Sequence, residues 1–277
     1  MRTTTLVAFG LALLVNANTT SAVPIFMTVL DNVGTELGGL TFRDGDVANY
    51  EPTTDTATLF FSEDLIAPSA DLTALHIMPN GDIILSVLFN NRTLGGLTFN
   101  DGDLVRYNPN TDTATIFGIS EASFTDAGNP DISAVYVRAN GNILVSTLGD
   151  HTLGGLAYTD GDIIEYDPVN DTGTLLVAES AIFDDGDGDI DALHLLPNGN
   201  YVLSATLDET ISGTLFGDGD LVEYNPGSDT ASLFFNEGLF TDGVNSHDVN
   251  GVWVAPEPSA LALLALGGAM LLNRRRR

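Results

Sequence analysis

The 277-residue chain predicts an all-β fold, a four-bladed β-propeller of about 58 residues per unit, closed by pairing its N-terminal and C-terminal strands. Three observations predict it. Asp-Gly-Asp recurs with its first Asp at 44, 101, 160 and 218, so one unit is written four times at steps of 57, 59 and 58. Each unit divides into four apolar runs of strand length, separated by turn residues. The chain also enters and leaves in mid-unit. The fourth unit lacks its last run, and Phe26 to Leu30 supplies it, aligning Thr28 with Ser86, Ser146 and Ser204. An open solenoid is the rival, but this unit is long for a single coil, and an open array would leave exposed edges.

The first run follows Asp-Gly-Asp: Val47 to Tyr50, Leu104 to Tyr107, Ile163 to Tyr166 and Leu221 to Tyr224. A Tyr-x-Pro-x-x-Asp-Thr turn comes next, in which Pro fixes φ and Asp can bond its own backbone. The second run is Thr56 to Phe61, Thr113 to Phe117, Thr172 to Val177 and Thr230 to Phe235. An acidic loop leads to the third: Leu72 to Met78, Ile132 to Val137, Ile190 to Leu196 and Val249 to Val254. Asn-Gly at 80–81, 140–141 and 198–199 predicts a tight hairpin, since both positions tolerate positive φ. It joins the third run to the fourth: Ile83 to Leu88, Ile143 to Leu148 and Tyr201 to Thr206. The third runs are expected innermost, because their matching residues Ala74, Ala134, Ala192 and Gly251 are small enough for a crowded centre.

Composition sets limits. There is no cysteine, which excludes a disulfide framework, a thiolate nucleophile and any metal site built on Cys. Between Val23 and Pro256 only Arg43, Arg92, Arg106 and Arg138 face 37 acidic residues, a balance of −33. Such a surface repels nucleic acid and anionic lipid, and attracts cations or suits a salty medium.

The two ends read as addresses. Residues 1–22 carry Arg2, an apolar stretch from Leu6 to Val15 and a small-residue cleavage site at Thr20-Ser21-Ala22, the order of a secretory signal. Residues 23–255 are the repeat domain. At residues 256–277, Pro256-Glu257-Pro258 precedes an apolar run from Ala260 to Leu272, and then Arg274, Arg275, Arg276 and Arg277. A rigid break, a short apolar helix and a basic cytoplasmic stop follow one another. The order closely resembles the PEP-CTERM sorting signal, also labelled an ice-binding-protein C-terminal domain. The resemblance implies recognition by an exosortase-type sorting enzyme, transient anchoring in the inner membrane, cleavage near Pro-Glu-Pro, and delivery to the cell envelope or extracellular polymer. Membrane contact is expected only through this segment, before processing.

Candidate chemistry centres on acids. Asp-Gly-Asp could begin a calcium loop, but no EF-hand Gly or Glu follows, and turn punctuation is the better reading. The run Asp184-Asp185-Gly186-Asp187-Gly188-Asp189-Ile190-Asp191 is denser. Asp185, Asp187, Asp189 and Asp191 have the alternate spacing used by hard cations, so calcium is the cofactor it would take. His76 and His194 stand where other units have Tyr136 and Trp253, and packing is the expected role. The aligned Ser86, Ser146 and Ser204 lack a nucleophile elbow and read as architecture. Thr-x-Thr at 56–58, 113–115 and 172–174 would lie on separate outer strands rather than in one flat array.

These residues favour a non-enzymatic surface or matrix protein that binds a partner, an extracellular polysaccharide or cations. The alternative is a calcium-dependent hydrolase or lactonase resembling the gluconolactonase-like propellers. It requires Glu, Asn and Asp to converge at one end of the axis, and is discriminated by whether His194, Asp191 and the Asp185 loop share an axial pocket.

Overall fold

A computed structural model describes residues 23–256, except 31–33, 127, 187 and 243–246. The signal peptide at 1–22, Asp187, Glu257, Pro258, the apolar run and Arg274 to Arg277 therefore lie outside the described residues. Among the described residues, no helix is long and apolar enough to cross a membrane.

The strands are β1 (Ile25–Val29), β2 (Thr35–Leu37), β3 (Leu40–Phe42), β4 (Val47–Glu51) and β5 (Thr56–Phe61). The next unit contributes β6 (Leu72–Ile77), β7 (Ile83–Val87), β8 (Arg92–Leu94), β9 (Leu97–Phe99), β10 (Val105–Asn108) and β11 (Thr113–Ile116). The third contributes β12 (Ile132–Val137), β13 (Ile143–Thr147), β14 (His151–Leu153), β15 (Leu156–Tyr158), β16 (Ile163–Asp167) and β17 (Thr172–Val177). The last contributes β18 (Ile190–Leu195), β19 (Tyr201–Ala205), β20 (Glu209–Ile211), β21 (Thr214–Phe216), β22 (Leu221–Asn225), β23 (Thr230–Phe235) and β24 (Val249–Val254).

Four antiparallel sheets result, in the orders β6-β7-β10-β11, β12-β13-β16-β17, β18-β19-β22-β23 and β24-β1-β4-β5. The last closes the ring, with Ile25 opposite Val254, Met27 opposite Val252 and Thr28 opposite Gly251. The expected pairing of the two ends is thus present, in the register that the aligned serines required. β6, β12, β18 and β24 pack on one another in cyclic order around the axis, and the core lies between successive blades.

The crowded centre explains a compensated exchange. Ala74, Ala134 and Ala192 pair with Ser86, Ser146 and Ser204, whereas Gly251 pairs with Thr28. A Cβ on Gly251 would stand 2.7 Å from the Thr28 Cγ2 methyl. The methyl has moved from the inner strand to its neighbour, and the pair keeps its volume.

Two features add to the sequence expectation. At the Asn-Gly turns only the glycine takes positive φ (86° at Gly81, 93° at Gly141, 89° at Gly199). Asn80, Asn140 and Asn198 instead use Oδ1 to accept the N–H two residues on, from Asp82, Asn142 and Asn200. A side chain that can bond its own turn has no need of the left-handed region. The structure also adds four short hairpins, β2-β3, β8-β9, β14-β15 and β20-β21, that cap the blades. Their two-residue turns, Gly38-Gly39, Gly95-Gly96, Gly154-Gly155 and Ser212-Gly213, have positive φ at both positions. That matches the right-handed twist of the strands.

Candidate functional site

The acidic motifs gather at the end of the ring where the inner strands begin. In each Asp-Gly-Asp the second Asp serves the fold. Asp46, Asp103, Asp162 and Asp220 accept the backbone N–H of Glu63, Glu121, Glu179 and Glu237, which open single helical turns, at 2.9–3.0 Å. Their other oxygens close their own turns on Arg43, Asn100, Thr159 and Gly217. The central glycine is required by close approach. A Cβ at Gly161 or Gly219 would lie 1.9 or 1.8 Å from the carbonyl oxygen of Gly188 or His247.

The first Asp of the motif faces a second acid. Asp44 meets Asp71, and Asp101 meets Asp131, each partner standing just before an inner strand. Burial, reinforced by the neighbouring carboxylate, pushes Asp71 up to about 6 and Asp131 up to about 7. Burial likewise lifts Glu63 to about 7, against the pull of Arg43, whose guanidinium sits 2.7 Å away. Glu179 and Glu237 are raised as well, by burial first.

On the axis the same end holds a partly open cavity of about 30 Å³, room for one water or one ion. The inner strands line it with Thr73, Ser133, Asp191 and Asn250, and Asp248 joins them. Leu30, Leu88, Leu148 and Thr206 surround these polar groups. Thr73 donates its hydroxyl proton to Ile132 O at 2.7 Å, and Ser133 donates to Ile190 O at 2.6 Å, each reaching the next blade.

A carboxylate at 191 cannot continue that series. Instead Ser204 leaves the role of its counterparts. Thr28, Ser86 and Ser146 donate to the carbonyls of Asp44, Asp101 and Asp160. Ser204 Oγ lies within hydrogen-bond range of both Val249 O and Asp191 Oδ1, the latter at 2.6 Å. Asp191 is 3% exposed, and burial, followed by the facing Asp248 carboxyl, pushes its pKa far above the usual carboxylate range. Asp191 Oδ2 accepts no hydrogen bond, and neither polar atom of the Asn250 side chain, also 3% exposed, has a partner.

The sequence-predicted residues are thus dispersed. Asp191 is on the axis, Asp189 is half-buried just before β18, and Asp185 is exposed in the bend after the third helical turn. His194 does not line the cavity. It belongs to a buried collar in which His76, Tyr136, His194 and Trp253 meet edge to face, with ring centres 5.0, 5.2 and 6.1 Å apart. The Nδ1 atoms of His76 and His194 accept the N–H groups of Val137 and Val254. Burial lowers His76 to about 4 and His194 to about 3, so both are neutral near pH 7. Asn250 belongs to no motif of the sequence, and Asp248 stands there only as an acid of the loop related to the Asp185 run. The signal of Asn250 is a column, since it aligns with Thr73, Ser133 and Asp191 as the second residue of each inner strand.

No family model matches the chain, and no curated protein matches it. Solved structures with some likeness include the extracellular domain of a putative one component system from B. thetaiotaomicron, at 10% identity and TM-score 0.31, over 82% of this chain and 25% of that one. PorZ, a bacterial surface component of the type-IX secretion system of Porphyromonas gingivalis, is 14% identical at TM-score 0.32, over 84% of this chain and 32% of its own. A protein of unknown function from Bacteroides caccae is 14% identical at TM-score 0.30, over 77% of this chain and 61% of its own. This chain therefore spans about a quarter to three fifths of their lengths. The propeller itself is read from the strand pairing.

Proposed function

We propose that the chain is an exported cell-surface or extracellular-matrix protein whose propeller is a non-enzymatic binding or structural module. In this reading residues 1–22 direct export, residues 23–255 form the propeller, and residues 256–277 are read by an exosortase-type enzyme after transient anchoring in the inner membrane. The partners are cations or extracellular polysaccharide, and the acidic stretch with Asp185, Asp187, Asp189 and Asp191 contributes to cation binding.

The supporting observation is how the reactive side chains are used. Aligned aspartates close aligned turns, aligned hydroxyls donate to backbone carbonyls, and the two inner-strand histidines accept backbone N–H groups. The hydrolase alternative gains Asp191, Asp248 and Asn250 at one axial end, but that cavity has space for an ion rather than a lactone.

Intact-mass measurement of the chain from a host with and without an exosortase tests the sorting. Loss of residues 1–22 is expected in both, and loss of the arginine cluster only with the enzyme. Recovery of a chain intact through Arg277 where the enzyme is present would sink this reading in favour of a plain anchor.

A further inference from the structure

We propose that the axial cavity at the acidic end of the ring is a site for one divalent hard cation, calcium, held by Asp191, Asp248 and the Asn250 side-chain oxygen, with the Thr73 and Ser133 hydroxyl oxygens completing the set. This site stands independently of where the protein is delivered.

The inference begins with unmet polar groups. A buried amide or carboxylate oxygen without a partner costs free energy, and the great majority of such groups in folded proteins are satisfied. Several buried side-chain atoms lack a partner, and three of them face one space. Asp191 Oδ2 and both polar atoms of the Asn250 side chain are sealed from bulk water, lack hydrogen-bond partners, and belong to residues lining the same cavity.

The chemistry of the set selects the occupant. Asp191 and Asp248 both line this small cavity, and two carboxylates there repel each other unless a positive charge lies between. The Thr73 and Ser133 protons are already committed to Ile132 O and Ile190 O, so these hydroxyls present lone pairs rather than donors. A cavity offering oxygen from carboxylate, amide and hydroxyl suits a hard cation, and two carboxylates match a divalent charge. The volume of about 30 Å³ admits one such ion. Among the described residues no three His, Cys, Asp or Glu side chains cluster as a metal centre. This site has only two carboxylates and draws its other oxygens from neutral side chains.

The position of these groups across the ring gives the ion a structural role. β6, β12, β18 and β24 each supply a side chain, so an ion there ties all four innermost strands at one end. The contacts of Thr73 and Ser133 run from one blade to the next, whereas Asp191 accepts from Ser204 within its own blade and the Asn250 side chain bonds to neither neighbour, and a cation would bridge the gap.

The test is calorimetric titration of the full exported chain with calcium chloride, against sodium chloride at matched ionic strength, beside an anomalous-difference map of calcium-soaked crystals. The expected result is one tight site per chain, an anomalous peak on the axis, and at least tenfold weaker binding in Asp191→Asn, with a change at the exposed Asp150, Asp150→Asn, as wild type. The crystal map reads the wild-type chain, so a poorly folding variant does not blunt the test. A water without anomalous signal in the cavity, sodium binding as well as calcium, or unchanged calcium affinity in Asp191→Asn would overturn the proposal. Loss of the site in Asp185→Asn, with Asp191→Asn unchanged, would place the cation in the exposed loop instead.

Discussion

The turn that opens each blade's third sheet strand and the cavity on the axis are built from the same four repeats, yet they are spelled in opposite ways. In the turn, Asp46, Asp103, Asp162 and Asp220 are one residue type making one pair of bonds four times. On the axis, Thr73, Ser133, Asp191 and Asn250 are four residue types in one structural position, and only the first two form the strand-to-strand bond. A repeated position that stays uniform serves the unit, because every blade needs it. A repeated position that diversifies at the point where blades meet serves something the ring holds once. The difference separates the residues that make the fold from those that fill its centre.

The sharpest way to break the comparison is to attack the uniform region. Gly161→Ala and Gly219→Ala each drive a Cβ into a backbone carbonyl, where no side chain can move aside. Each is expected to cost on the order of 4 kcal/mol or more, the range reserved for severe steric faults. Chemical denaturation of the two variants checks it. Losses below about 1 kcal/mol would show that the turn is looser than the repeated geometry implies.

A second test concerns the collar at the other level of the axis. His76 and His194 have folded pKa values lowered to about 4 and about 3 by burial. A lowered value means that the unfolded chain takes up protons first as pH falls below about 6.5. The stability of the neutral collar is therefore complete above that pH and lost progressively down to about 4 for His76 and about 3 for His194, by roughly 3 kcal/mol per histidine at pH 4. Glu63, raised to about 7, acts in the opposite sense over the same window, since its folded form holds a proton that the unfolded chain has released. Comparing the wild type with His76→Asn/His194→Asn separates the two. Their stability difference should shift by several kcal/mol between pH 7 and pH 4, in favour of the variant at low pH. A constant difference would mean that the rings are reached by water.

Legibility follows the same division. The sixteen blade strands and the closing pair could be read because a fixed step of 57 to 59 residues exposes every uniform position at once. The small hairpins were not read. Three residues are too few to show a period, and Leu-Gly-Gly-Leu at 37–40, 94–97 and 153–156 was their only trace. The axial set was missed for a physical reason. Sequence proximity joined Asp191 to Asp185 and Asp187, but ring closure joins it to Asn250 and Asp248 in the next unit and to Thr73 and Ser133 in earlier ones. Burial then separates the run itself, leaving Asp185 in solvent and Asp191 enclosed.

The smallest expected effects lie in the diversified column, where sign carries more than size. Thr73→Val and Ser133→Ala remove a donor and leave the Ile132 or Ile190 carbonyl unmatched, so each should cost about 1 kcal/mol. Asn250→Leu, of nearly the same volume, removes a buried amide that has no partner within the protein. In the presence of a chelator it should be neutral or stabilising by up to about 1 kcal/mol, because an unsatisfied polar group is replaced by an apolar one of the same shape. Calcium reverses this ordering. An ion bound only by the folded chain adds stability that grows with its concentration, about 2.7 kcal/mol at a hundredfold excess over Kd. The wild type should gain that increment, while Asn250→Leu, lacking one ligand, gains less. Thermal denaturation of both proteins, with chelator and with calcium at fixed ionic strength, measures the crossing directly. Parallel responses would mean that Asn250 faces a water and that the column varies for packing alone.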